Sequence, residues 1–213
     1  MASRAHKRME VYTYGDYLHW DDDERWEIIE GVPQNMTPAP SRLHQEILGE
    51  LVFQVKKNLA GKKCSAYFAP FDVRLPEPGQ SEEDTTTVVQ PDLVVVCDPK
   101  KLDDKGCVGA PDWVVEILSP FTARKDQIEK VDLYEKHGVK EYWIIHPEEQ
   151  LITVRILDKD GKYLPPRIGV AEGVLKVTSV KGLKVNLDWL FKSHPMTEKR
   201  KYKAPPKSLK NAN

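Results

Sequence analysis

Apolar positions along this chain fall into two rhythms. Between Ser41 and Ala60, Leu43, Ile47, Leu48, Leu51, Val52, Val55 and Leu59 recur at helical spacing, Ser41 can cap the first turn, and Gly61 stops the run. This predicts a helix with one buried stripe and with Lys56 and Lys57 on its outer face. Upstream, Thr13 can cap a short helix reaching Leu18, and "WEIIEGVPQNM" reads as a hairpin turning at Glu30-Gly31. "CSAYFAPFDVRLPEP" predicts one or two strands and "EPGQSEEDTTT" an exposed acidic loop. Two further runs, Val88 to Val96 and Trp113 to Leu118, are apolar almost throughout. A strand without alternation is covered on both faces, as in the middle of a mixed sheet flanked by helices.

A second helix is predicted from Thr122 to His137, ending at Gly138, with "KEYWIIHP" as the next strand, which makes a strand, helix, strand crossover. "LITVRILDKDGKYLPPRI" reads as a hairpin with a Lys-Asp-Gly turn, and a small helix closes the pattern near Trp189. The expected fold class is α/β, one domain over residues 13–191 after an arm at 1–12. Beyond it, residues 192–213 carry Lys192, Lys199, Arg200, Lys201, Lys203, Lys207 and Lys210 against Glu198, with little to bury. That composition predicts a disordered basic tail, with phosphate attraction as its functional alternative.

Composition adds limits. A chain of 213 residues with 40% hydrophobic and 31% charged content can bury one good core. Its formal net charge of −1 offers no overall basic field, so any affinity for nucleic acid must come from local clusters. Cys64, Cys97 and Cys107 are odd in number and form no C-x-x-C pair. The expectation is therefore free thiols and a reducing cytoplasm, with neither a disulfide framework nor a zinc ribbon. No apolar leader or membrane-length run stands out, so the chain reads as soluble and unexported.

Two of the buried strands each carry a carboxylate, Asp92 in "QPDLVVV" and Glu116 in "DWVVEILSP". Desolvating a charge is costly unless something pairs with it. Residues i and i+2 share a strand face, so Glu116 lies with Val114 and Leu118, and Asp92 with Gln90 and Val94. On neighbouring strands the two acids would converge, and a divalent cation would relieve their repulsion by taking oxygens from both. The plainer alternative is that each acid has its own basic partner or caps a turn.

The order P-D in one strand, E-x-K in the next, then a helix, is similar to the PD-(D/E)XK nuclease superfamily. The longer run "GAPDWVVEILSPFTARKDQIEKVDLYEKHGVKEYWIIHP", with "WEIIEGV" and "SRLHQEI" upstream, resembles the Uma-type restriction-endonuclease family across Tyr14 to Phe191. The resemblance implies a restriction-endonuclease-like mixed sheet flanked by helices, with an N-terminal hairpin extension. It also implies metal-dependent hydrolysis of phosphodiester bonds in DNA, with Mg²⁺ or Mn²⁺ held by Asp92, Glu116 and the backbone carbonyl of Ile117. Nucleases of this broad fold often dimerise to cut both strands, so a homodimer is the expectation by analogy.

One position departs from the pattern. Leu118 stands where the superfamily carries its lysine, and a leucine can neither orient water nor offset charge on a phosphorane. The resemblance implies a lysine supplied by the following helix. At ~100° per residue, Ile128, Val131 and Tyr134 form the apolar stripe, Lys125 points outward with Glu129, Asp132 and Lys136, and Lys130 borders the buried side. Lys130 is therefore the stronger candidate, although a bordering lysine can also snorkel past apolar neighbours to water.

Accessory candidates follow from the same pattern. His44 falls where the family has a histidine, yet it also reads as an ordinary first-turn polar residue. Glu27 matches the acidic position of the hairpin, either as a further acid of the site or as a lysine partner. Gln90 shares the face of Asp92 and could bond water or phosphate, while Asp72 reads as a partner of Arg74. Lys100, Lys101, Lys105, Arg124 and Lys125 could line a phosphate-binding groove, or be solvated loop charges. Because losing the lysine costs chemistry before binding, Leu118 keeps open a nucleic-acid-binding module without catalysis. A regulatory protein with a structural acidic pair is the third reading.

Overall fold

The computed structural model describes residues 10–21, 24–36, 39–119 and 125–192. A short helix α1 (Tyr14–Tyr17) is held by a capping box in which the Thr13 and Asp16 side chains each bond the other's backbone N–H. Strands β1 (Trp26–Ile29) and β2 (Val32–Asn35) form the expected hairpin. Its turn puts Glu30 and Gly31 at positive φ (50° and 80°), the geometry that suits a two-residue connection to the strand twist. Helix α2 (Arg42–Leu59) begins where Ser41 Oγ accepts the His44 N–H, and its buried stripe is Ile47, Leu48, Leu51, Val55 and Leu59.

Next come β3 (Ser65–Phe68), β4 (Val73–Arg74), β5 (Val88–Val89), β6 (Leu93–Val96), β7 (Leu102–Asp103), β8 (Gly106–Val108) and β9 (Trp113–Ile117). A π-helical turn, Lys125–Glu129, leads into α3 (Lys130–His137), which ends on Gly138 at φ 84°. β10 (Glu141–His146), β11 (Leu151–Ile156), β12 (Arg167–Val170), the pair β13 (Val174–Lys176) and β14 (Lys184–Asn186), and α4 (Leu187–Leu190) complete the described chain. The strands make two six-stranded mixed sheets, ordered β2-β1-β5-β4-β8-β7 and β12-β11-β10-β9-β6-β3, with β13-β14 apart.

The second sheet carries the core. Its strand β9 runs parallel to β10 and antiparallel to β6, as a strand, helix, strand unit next to a hairpin-like neighbour requires. Every residue of β6 and β9 is buried, and strand parity sorts them. Leu93, Val95, Trp113, Val115 and Ile117 pack with α2 and α4, whereas Val94, Val96 and Val114 pack with Val131, Leu133 and Tyr134 of α3. Trp113 and Trp143 meet edge to face at 4.8 Å between centroids on the α2 side. Helices on both faces thus explain why neither strand alternates.

Three expectations are corrected. Val88 to Val96 is not one strand. It breaks at Gln90-Pro91-Asp92, leaving β5 in the first sheet and β6 in the second, because Pro91 has no N–H for a ladder and the Gln90 N–H goes to Glu27. Cys64 and Cys97 form a disulfide, and only the buried Cys107 is free. The β3–β6 register pairs Ser65 with Val96, which sets the two cysteines opposite one another just past the strand ends. Cysteine spacing therefore gives no ground for a reducing compartment. Finally, Ile128 is 58% exposed and Lys125 turns inward. The π turn holds more residues per turn than an α-helix, so an α-helical projection carried from Thr122 through this segment has the wrong phase.

The arm before residue 10 and the tail after residue 192 lie outside the described residues, as does Arg124. Among the described residues no helix is long and apolar enough to cross a membrane.

Candidate active site

Register places the two acids. Leu93 pairs with Val115 and Val94 with Val114, so the next step along the ladder sets Asp92 opposite Glu116. Asp92 Oδ2 accepts the Ile117 N–H at 2.7 Å and meets His44 Nε2 at 3.1 Å. Its own N–H points toward Glu116 Oε2 at 3.4 Å. The break at Pro91 is what frees Asp92 from the ladder and lets its carboxylate close over the end of β9. His44 reaches it from the first turn of α2, where the Ser41 cap anchors the backbone.

Glu116 projects on the α3 side of the sheet. Its Oε1 accepts from Lys130 Nζ at 2.7 Å and from Tyr134 Oη at 3.0 Å, two residues one helical turn apart on α3. Lys130 is 3% exposed. It also lies 3.0 Å from Glu27 Oε1 and 3.6 Å from Asp126 Oδ1. Glu27, brought in by β1, pairs in addition with Lys125 and accepts the Gln90 N–H at 2.9 Å. The hairpin, the π turn, α3 and β9 are thereby locked to one buried ammonium.

The charges respond unequally. Burial raises the Glu116 carboxyl to about 8; the carboxylates of Asp126, Asp92 and Glu27 add to this, and Lys130 opposes it. Glu27 is just as buried, but Lys130 and Lys125, with the Gln90 N–H, outweigh its burial and hold it at about 2. For Lys130, burial works against the charge, yet Glu116, Glu27 and Asp126 outweigh it and keep the ammonium protonated. Burial raises the Tyr134 phenol, which stays a donor.

Glu27, His44, Asp92, Glu116, Asp126 and Lys130 line a cavity of about 710 Å³ bounded by the hairpin, α2, the ends of β3 and β9, and the π turn. Among the described residues no three His, Cys, Asp or Glu side chains gather into an all-protein metal cage. The donor set does fit a hard cation that keeps much of its water. Asp92 Oδ1 has no hydrogen-bond partner among the described residues, Glu116 Oε2 has only the long contact to the Asp92 N–H, and the two acids are cross-strand neighbours at the cavity wall.

A family model described as "Putative restriction endonuclease", Uma2, matches residues 14–188. The chain belongs to the Uma2 family. Five solved chains also match, among them one titled a putative nuclease belonging to DUF820 from Anabaena variabilis, with a TM-score of 0.66 and 20% identity. That alignment covers 84% of this chain and 97% of the other, and it shows the shared nuclease-like α/β fold. No curated protein matches. Family and fold together support a nuclease in general terms.

The structure brings Asp92, Glu116, Lys130, Glu27, His44 and Ile117 to one cavity wall, with Lys125 beside them. Gln90 lines the cavity too, but its amide is taken by Arg25, Tyr17 and Asp72. Asp72 is therefore the partner of Gln90, and the buried Arg74 pairs with Glu82 and Asp103. Lys100, Lys101 and Lys105 do not line the cavity. They follow the far end of β6, where Lys101 Nζ bonds the Ala110 carbonyl at 2.7 Å. Tyr134 and Arg25 are the additions. Tyr134 lies four residues after Lys130, a spacing that could have signalled its partnership, whereas nothing local to Arg25 points to Gln90.

Proposed function

We propose that this chain is a metal-dependent endonuclease that hydrolyses phosphodiester bonds in DNA, with Asp92, Glu116 and Lys130 as its working residues. The observation that carries the reading is the 2.7 Å contact between Lys130 Nζ and Glu116 Oε1. An amine from the following helix reaches the carboxylate that the missing lysine at position 118 would have accompanied.

Asp92 and Glu116, with the Ile117 carbonyl, would hold Mg²⁺ or Mn²⁺. When bound, such an ion supplies a Lewis acid for the phosphoryl oxygen and lowers the pKa of water. The Ile117 N–H and His44 fix the Asp92 carboxylate, so its remaining oxygen is presented without reorganisation. Two of the three ammonium protons of Lys130 serve Glu116 and Glu27. The third, loosely directed at Asp126 from 3.6 Å, is the one available to orient the attacking water or to meet charge developing on phosphorus. Hydrolysis forms a bond from water oxygen to phosphorus and releases one ester oxygen as an alcohol. Cutting both strands of a duplex takes two such sites, so a homodimer accompanies this reading.

One observation favours a second reading, a nucleic-acid-binding protein without catalysis. Lys130 is surrounded by Glu116, Glu27 and Asp126, as a structural counterion would be. Incubating the full chain with supercoiled plasmid and Mg²⁺ or Mn²⁺ separates the two. The nuclease reading expects nicked or linear product that EDTA and Asp92→Ala abolish; an unchanged plasmid with retained DNA binding supports the binder.

A further inference from the structure

The cavity wall is more acidic than a surface for a polyanion should be. Glu27, Asp92, Glu116, Asp126 and Glu129 line it, against Arg25, Lys125 and Lys130. Lys125 is committed to Glu27, and Lys130 to Glu116 and Glu27. Arg25 differs from both. Its Nε and Nη2 donate to a neutral acceptor, Gln90 Oε1, at 3.1 and 2.7 Å, and among the described residues it forms no ion pair. Three of its five N–H groups are left over.

We propose that Arg25 is the phosphate anchor of this site, gripping a backbone phosphate of the nucleic acid beside the one that is cleaved. The inference rests on the nuclease reading for its ligand, but it concerns binding and not the chemical step.

The supporting geometry is built in layers. Gln90 cannot rotate, because its Nε2 donates to Asp72 Oδ1 at 2.9 Å and to Tyr17 Oη at 3.3 Å, while its N–H is held by Glu27. The guanidinium is therefore pinned along one edge by an amide oxygen that leaves its charge in place. Its free donors suit the paired oxygens of a phosphodiester. Arg25 acts on the Asp72 carboxyl, beyond Gln90, only through space, and burial raises that carboxyl and weakens its claim on the charge. Gln90 is two residues from Asp92, so an anchored strand is delivered to the acidic pair. Gln90 is a positioning residue in this scheme, which is why its amide makes four directed bonds and none to solvent chemistry.

The test is oligonucleotide binding by the full chain in the Asp92→Ala background, with Ca²⁺ or EDTA present so that no cleavage intervenes. Adding Arg25→Ala should weaken binding roughly ten- to a hundredfold and reduce the slope of log affinity against log salt by about one phosphate contact. Arg25→Lys should recover part of the affinity, since the charge returns without the fork. Gln90→Glu, which keeps the size of the side chain but gives Arg25 a carboxylate partner, should lower affinity with Arg25 intact. Circular dichroism and thermal melting of Arg25→Ala and Arg25→Lys separate a binding defect from a folding defect. Unchanged affinity and salt slope in Arg25→Ala, or no binding by the Asp92→Ala parent, overturns the anchor. Plasmid cleavage by the unsubstituted chain is read separately, so failure here leaves the nuclease reading to its own assay.

Discussion

Lys130 Nζ lies 2.7 Å from Glu116 Oε1 although the two residues are 14 apart in sequence and on different elements. The strand supplies the acid and the helix the amine, with Tyr134 fixing the same oxygen from one turn further on. Removing the amine takes the shared counterion from Glu116, Glu27 and Asp126. Lys130→Met is expected to destabilise the fold by about 3–5 kcal/mol, the usual loss when one member of a buried ion pair is deleted. Urea titration at neutral pH measures it, and a loss below about 1 kcal/mol would mean that the cluster is held by something else.

Stability should carry two signatures of pH. Glu116 keeps its proton up to about 8 in the folded state against an ordinary value of 4.5. The folded chain therefore holds a proton that the unfolded chain releases. Its contribution is complete below 4.5, declines by up to about 1.4 kcal/mol per pH unit as pH rises, and is gone above 8. Glu27 has the opposite sign. With its folded value at about 2, its contribution is present above 4.5 and is lost as pH falls toward 2. Denaturation curves across both windows should show the alkaline decline vanish in Glu116→Gln and the acid limb shrink in Glu27→Gln.

Strand β9, α2 and the Glu30-Gly31 turn were legible because each rests on local pattern: an apolar run, a 3.6-residue stripe, a residue pair suited to positive φ. The convergence of Asp92 and Glu116 followed from strand parity once the strands were taken as neighbours. Lys125 was misplaced because a π turn changes helical phase with no mark in composition. The break at residues 90–92 did leave a signal in Pro91. The Arg25–Gln90 contact spans 65 positions and the Cys64–Cys97 bond 33, and both depend on a register that a single sequence does not state.

That disulfide yields its own expectation. Closing a loop across a sequence separation of 33 restricts the unfolded chain, which is worth about 3–4 kcal/mol in the loop-entropy treatment. Cys64→Ser or dithiothreitol should lower the melting temperature of the parent, and dithiothreitol should leave Cys64→Ser/Cys97→Ser unchanged. Equal melting of the parent with and without reductant would contradict this.

Metal should stabilise the folded chain only where both acids can give up an oxygen. Mg²⁺ or Mn²⁺ is expected to raise the melting temperature, and more strongly as pH approaches 8 and the Glu116 proton becomes easier to displace. Asp92→Ala should abolish the shift. An equal shift in parent and variant would place the ion elsewhere.

In the proposed nuclease, the amine on α3 does the work of the lysine absent at position 118. The most direct measurement compares metal-dependent plasmid cleavage by the parent, Lys130→Met, and Lys130→Met/Leu118→Lys, at a temperature where all three show the same circular dichroism. Leu118 shares a strand face with Glu116, so a lysine there would set an amine beside the same acid. Lys130→Met should cut the rate by about 10²–10³-fold and the double variant should regain a measurable part of it. Cleavage by Lys130→Met at the parental rate would contradict the claim outright.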